Sequence, residues 1–241
     1  MKTILITGGS SGVGKTLVEY FSNQYKVITI ARRVEEMRSA FSNNPNVDIY
    51  KADLASMSDL CDVLNEITKK YQRVDCIINN AGIMHKGDVE LVSTDDLMKS
   101  ITVNAISPIE IVKFFLPGMK KNNFGRIINL TSGAPLNCFK GVGAYSASKS
   151  ILNTLTVTLA KEMMEYDIKI NLMSPGPVKS EMAPDALLEP SICIPTVEYL
   201  LNEVADTGKF YWLGYEIPLS PDLEGIDWLN GIASDRFNKI L

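Results

Sequence analysis

With one histidine, His85, and four scattered cysteines in 241 residues, the chain is poor in the usual metal ligands. Cys61, Cys76, Cys138 and Cys193 form no Cys-x-x-Cys pair, which argues against a zinc site, and their spacing implies no disulfide framework. Basic charge is scarce too: 24 Lys and Arg face 28 Asp and Glu, so the net charge is -4 and no basic excess can displace counterions from a nucleic acid. No apolar run reaches the roughly 18 residues that would cross a bilayer. No basic and apolar leader precedes the first strand, and repeats, low-complexity tracts and linkers are missing. These absences predict a cytoplasmic protein with free thiols, no metal, and no nucleic-acid or membrane partner. With 46% hydrophobic residues and a mean hydropathy of +0.05, residues 1–241 suit one α/β domain with a sizeable core.

What is present starts with a turn. Residues 2–7 are a short apolar run of strand type, Gly8 to Gly14 are glycine-rich, and residues 15–21 read as helix. Strand, glycine turn and helix make a phosphate site, because glycines let the backbone approach a ligand and the helix's first free N–H groups point at an anion. Two readings fit the same residues. Gly9, Gly14, Lys15 and Thr16 match the loop that wraps a nucleoside triphosphate, whereas Gly8, Gly12 and Gly14 give TGxxxGxG, a variant of the dinucleotide fingerprint.

Strands and helices then alternate. Residues 25–30, 47–50, 74–78, 126–130 and 168–173 read as buried strands, and residues 34–41, 56–71 and 144–164 as helices, the second behind a Ser56 cap. A long helical stretch from Thr94 toward Met119 is broken at Pro108. Such alternation predicts a doubly wound parallel sheet of Rossmann type in a three-layer α/β/α arrangement. Five prolines between Pro175 and Pro195 mark a lid over residues 177–205, and residues 210–213 can form a last strand.

A triphosphatase needs an acid at the end of another buried strand to hold magnesium, and no strand here ends that way. The dinucleotide reading gains at the second strand, which ends in Ala31, Arg32 and Arg33 where an NAD site would carry an acid. Arg32 can pair bidentately with a 2′-phosphate, and Ser10 and Ser11 can add hydroxyl donors, so NADP(H) is the expected cofactor.

Tyr145 and Lys149 are four residues apart and share a helix face. Bringing a phenol from about 10 to about 7 takes about 4 kcal/mol of differential interaction, which one or two close cations in a partly dry cleft can supply. Ser132 falls just past the fifth strand, at the sheet edge where doubly wound folds bind ligands. Its hydroxyl can hold a substrate carbonyl oxygen while Tyr145 delivers the proton. His85 is read as a surface or rim residue and not a catalytic one.

Taken together, these motifs make the chain resemble the short-chain dehydrogenases/reductases over residues 1–182. The matching residues are Thr7-Gly8, Gly12 and Gly14, Asp53-Leu54, Asn79-Asn80-Ala81-Gly82, Asn104, Ser132, Tyr145 with Lys149, and Pro175-Gly176, Val178 and Ser180. The resemblance implies a catalytic set of Asn104, Ser132, Tyr145 and Lys149, with Asn104 holding a water that continues the proton path from Lys149. It implies a cofactor site formed by Gly8, Ser10, Ser11, Gly12, Val13, Gly14, Arg32, Arg33, Asp53, Leu54, Asn80, Ala81, Gly82, Tyr145, Lys149, Pro175, Gly176, Val178 and Ser180. Asp53 and Leu54 would face adenine, and Pro175, Gly176 and Val178 would seat the nicotinamide. A homodimer or homotetramer is implied likewise.

The departures are Gly133 in place of a second serine, Ser180 in place of threonine, and an aromatic tail with Tyr211, Trp212 and Tyr215. The activity expected is hydride transfer between NADPH and a ketone or secondary alcohol. A cofactor-binding regulator of the same fold, and a sugar-nucleotide epimerase or dehydratase, stand as alternatives. Met182, Leu187 and Leu188, with Pro135 and Phe139, point to an apolar or amphiphilic small-molecule carbonyl substrate.

Overall fold

The computed structural model describes residues 1–219, 226–227, 232–234 and 236; the rest of the unit expected over residues 1–241 lies outside the described residues. The first half runs β1 (Thr3–Thr7), α1 (Gly12–Phe21), β2 (Lys26–Ala31), α2 (Val34–Phe41), β3 (Val47–Lys51), α3 (Met57–Lys70), β4 (Cys76–Asn79) and α4 (Thr94–Ile101). Then follow α5 (Ser107–Lys121), β5 (Gly125–Leu130), α6 (Ala134–Asn137), α7 (Gly143–Glu162), β6 (Ile168–Ser174), α8 (Ile194–Asn202), β7 (Phe210–Trp212) and β8 (Tyr215–Ile217). A separate antiparallel pair joins β9 (Ile226–Asp227) to β10 (Ile232–Ala233).

The main sheet has the order β3-β2-β1-β4-β5-β6-β7-β8, parallel throughout except for β8. Strand order reverses between β1 and β4, so the loops leaving their carboxyl ends part there and leave a crevice. The β-branched runs form strands because both faces are covered. Alternate residues of β1 serve opposite layers: Ile4 and Ile6 pack with Leu17, Val18 and Phe21 of α1, and Leu5 with Leu60, Val63 and Leu64 of α3. All nine are buried, and each such side chain contributes about 2 kcal/mol by leaving water. Ser56 caps α3 by accepting from the Asp59 N–H at 3.2 Å, as expected.

Three details differ from the sequence expectation. The path from Thr94 to Lys121 is not broken at Pro108. A π-helical stretch, Thr102–Ile106, joins α4 to α5, and Pro108 sits in the first turn of α5, where its missing N–H costs nothing. By length and composition this helical path of 28 residues is apolar enough to cross a membrane, yet half of its most apolar window is buried in the fold, as in a core helix. Within residues 177–205, the carboxyl half is core: Val197, Leu200 and Leu201 of α8 are buried in the cluster that contains α1. Finally, β7 turns back through Leu213 and Gly214, both at positive φ, into β8.

Candidate functional site

The crevice holds a cavity of about 1150 Å³. Its floor is the turn after β1. Thr7 Oγ1 accepts from the Asn80 and Ala81 N–H groups, each at 3.0 Å, and Asn80 Nδ2 donates to the Thr7 carbonyl oxygen at 2.9 Å. These bonds lock the loop after β4 to the glycine turn. Gly8 takes φ +77°, which favours glycine. A Cβ on Gly14 would collide with the Gly8 carbonyl oxygen and Asn80 Nδ2.

The first turn of α1 carries no acidic residue, and its cap Ser11 makes no side-chain capping bond, so its N–H groups are available to an anion. Lys15 instead reaches Glu19 at 3.8 Å on the surface, and Thr16 Oγ1 donates back to the Gly12 carbonyl at 3.2 Å. Neither lines the cavity, which removes the two side chains a triphosphate would need.

Every expected site residue except Gly14 and Asn104 lines this cavity. At the end of β2 the two arginines divide. Arg33 Nη2 donates to Ser11 Oγ at 2.9 Å and Ser10 Oγ at 3.3 Å, whereas Arg32 has no hydrogen bond or ion pair among the described residues. Asp53 Oδ1 accepts from the Ala55 N–H at 3.0 Å, and Leu54 is buried beside it. Across the crevice, Gly176 at φ +68° lies against Trp212, whose Nε1 would be 2.8 Å from a Cβ there. Ser180 crosses the glycine turn, its Cβ 3.3 Å from where a Gly12 Cβ would be. Such an open, concave, glycine-floored cleft with an unpaired helix N-terminus and a basic corner fits a dinucleotide with a charged pyrophosphate.

At the other end, α7 presents Tyr145 and Lys149 one turn apart, with Lys149 Nζ 5.9 Å from the centroid of the Tyr145 ring. Nζ donates to the Leu130 carbonyl oxygen at 2.7 Å, and burial pulls its pKa down to about 8. Burial pushes the Tyr145 phenol above its ordinary value, and a hydrogen bond with Ser132 pulls the other way. Burial thus opposes the lowering that a nearby ammonium would give the phenol: Nζ is aimed at Leu130, and desolvation disfavours charge on both groups. Ser132 Oγ also accepts from the Ala134 N–H at 3.1 Å, which fixes it at the start of α6.

Asn104 is fully buried in the π-helical stretch. Its Nδ2 donates to the Ile83 carbonyl at 2.8 Å and to Ser148 Oγ at 2.9 Å, and its Oδ1 accepts from the Ile83 N–H at 2.8 Å. Beside Gly82, a Cβ would stand 3.1 Å from Asn104 Oδ1 and 3.6 Å from Lys149 Nζ, so glycine keeps open a space between the two. His85 contacts Ser100 Oγ at 2.9 Å and Asp96 at 3.5 Å. It does not line the cavity.

Sequence reading missed Trp212, Glu181 and Ile217 as wall residues. The aromatic tail was a signal for Trp212, but only the pairing of β7 with β6 brings it to Gly176. Of its aromatic neighbours, Tyr211 is buried in the core and Tyr215 is exposed.

A family model described as short chain dehydrogenase matches residues 2–189. A Schizosaccharomyces pombe protein named NADP-dependent 3-hydroxy acid dehydrogenase is 32% identical over 190 residues, 76% of this chain and 73% of its own length. A Drosophila melanogaster protein named dehydrogenase/reductase SDR family protein 7-like is 30% identical over 195 residues, 77% of this chain and 60% of its own length. The structure of a 4-hydroxyisoleucine dehydrogenase complexed with NADH superposes with a TM-score of 0.83 at 24% identity, covering 88% of this chain and 96% of that one; at that identity the likeness speaks for the fold.

Proposed function

The chain belongs to the short-chain dehydrogenase family, and on that footing we propose that it transfers a hydride between NADP(H) and a ketone or secondary alcohol. The observation that carries this reading is the placement of Tyr145, Lys149 and Ser132 on the wall of one cavity floored by the glycine turn. When bound, the nicotinamide supplies the hydride in reduction and takes it up in oxidation.

The residues divide the remaining work. Ser132 holds the substrate oxygen by its hydroxyl, and Tyr145 donates the proton to that oxygen in reduction or removes it in oxidation. Lys149, buried and near pKa 8, favours the phenolate when protonated and holds the ribose hydroxyls. A water in the space beside Gly82, between Asn104 Oδ1 and Lys149 Nζ, continues the proton path outward.

NADP(H) is favoured over NAD(H) because β2 ends without an acid, Arg32 has no partner among the described residues, and Arg33 already gathers Ser10 and Ser11. The name of the S. pombe relative agrees with that preference. Leu136, Phe139, Val142, Met182 and Trp212 line the substrate end and suit an apolar or amphiphilic carbonyl compound. The reading includes a single functional unit over residues 1–241, the amino half of residues 177–205, which brings Ser180, Met182 and Ala183 to the cavity wall, as a substrate-side cover, a homodimer or homotetramer, and work in the cytoplasm with four free thiols. The test is a panel of aliphatic, aromatic and acyl-thioester ketones assayed for loss of reduced nicotinamide with NADPH and with NADH. Faster turnover with NADPH on at least one apolar ketone is expected, and no oxidation of either cofactor across the panel would contradict the reading.

A further inference from the structure

The guanidinium of Arg33 is engaged on all sides. Nε faces Glu36 Oε2 at 3.0 Å, Nη2 holds Ser10 and Ser11, and Nη1 forms an ion pair with Glu181. Glu181 arrives from the other side of the crevice. It follows Ser180, which lies across Gly12, so one carboxylate of the covering segment is set into the donor cluster at the end of β2. That cluster, two hydroxyls and a guanidinium, has the chemistry of a phosphate site, and Glu181 occupies one arm of it.

We propose that Glu181 is a specificity-determining residue: by occupying Arg33 it limits the preference for dinucleotides that carry a 2′-phosphate over those that carry a 2′-hydroxyl. This rests on the dinucleotide reading above. A 2′-phosphate entering the cluster carries nearly two negative charges and needs the Nη1 direction, so it must displace the carboxylate or lie beside it. A 2′-hydroxyl makes no such demand. The side chains of Arg33 and Glu181 are 41% and 66% exposed, and ion pairs that wet are weak, so the carboxylate tunes the site and does not close it. Arg32, at the same cavity wall and without a partner among the described residues, remains to assist the phosphate.

The experiment measures binding of adenosine 2′,5′-bisphosphate and of 5′-ADP by calorimetry at fixed ionic strength, in the wild type, Glu181→Gln, Arg33→Gln and the double variant. Removing one negative charge at contact distance in a wet site is expected to tighten the bisphosphate about fivefold to tenfold in Glu181→Gln. 5′-ADP should change by less than about twofold, and the gain should vanish in the Arg33→Gln background. An unchanged or weakened bisphosphate, an equal gain for 5′-ADP, or a gain that persists without Arg33 would overturn the assignment of Glu181 while leaving the dinucleotide site intact. Failure of the wild type to bind either nucleotide, or NADPH or NADH, would remove the dinucleotide reading and this inference with it.

Discussion

Lys149 Nζ stands 5.9 Å from the centroid of the Tyr145 ring. The amine is near enough to bias the phenol, yet its hydrogen bond goes to Leu130 and its own pKa is held down to about 8 by burial. A buried lysine poised near neutral pH can carry a charge when the chemistry needs one.

Replacing that lysine therefore has two readable effects. Lys149→Met should slow ketone reduction at neutral pH by about a hundredfold or more, measured in steady state. It should also change the pH dependence of stability. The folded value, about 8, is below the ordinary value of 10.5, so the folded protein binds fewer protons than the unfolded chain between those pH values. Stability of the wild type relative to the methionine variant should then rise from pH 8 to pH 10.5, by an amount on the order of 3 kcal/mol, and stay flat below pH 8. Melting temperatures of the pair across pH 6 to about 10.5 check the sign.

The glycine turn gives a contrast between two small substitutions. Gly14→Ala drives a methyl into the Gly8 carbonyl oxygen and Asn80 Nδ2, whereas Gly133→Ala meets only Asn137 Nδ2, at 3.5 Å. The first should cost about 1–3 kcal/mol in urea unfolding and weaken NADPH binding; the second should move stability by less than about 0.5 kcal/mol.

Ser148 ties Asn104 to α7. Its Oγ accepts from Asn104 Nδ2 and donates to the Tyr145 carbonyl oxygen at 2.7 Å. Ser148→Ala leaves a buried amide N–H without its partner, and denaturant unfolding should show a loss of about 1–3 kcal/mol.

At the substrate end, Phe139 lines the cavity and is more than half exposed. Phe139→Ala should raise KM for long apolar ketones about fivefold, the equivalent of about 1 kcal/mol of lost burial, and leave KM for the smallest ketone nearly unchanged. Initial rates on a chain-length series measure this.

Much of this architecture was legible beforehand, for reasons that particular residues make plain. Ile4, Leu5 and Ile6 announce a strand covered on both faces, Ser56 announces a helix start, and the glycines after Thr7 announce a close backbone approach. What could not be read depended on partners far along the chain. Pro108 looked like a break because proline usually ends a helix, but the π-helical stretch before it resets the register, and no side-chain pattern signals that. The hairpin from β7 to β8 turns on Leu213 at φ 46°, a residue type that seldom marks such a turn. Of the adjacent arginines, the sequence pointed to Arg32 as the partner of a 2′-phosphate beside Ser10 and Ser11; only the fold shows that Arg33 is the one that reaches the serines. The burial that opposes ionisation of the Tyr145 phenol depends on the whole cleft, and no spacing along the chain shows it.

The decisive measurement is single-turnover reduction of a reactive ketone by Tyr145→Phe loaded with NADPH, alongside direct titration of the nucleotide. The account predicts nucleotide affinity within about twofold of the wild type and hydride transfer slowed by about a thousandfold or more. Wild-type transfer rates in the phenylalanine variant would contradict it.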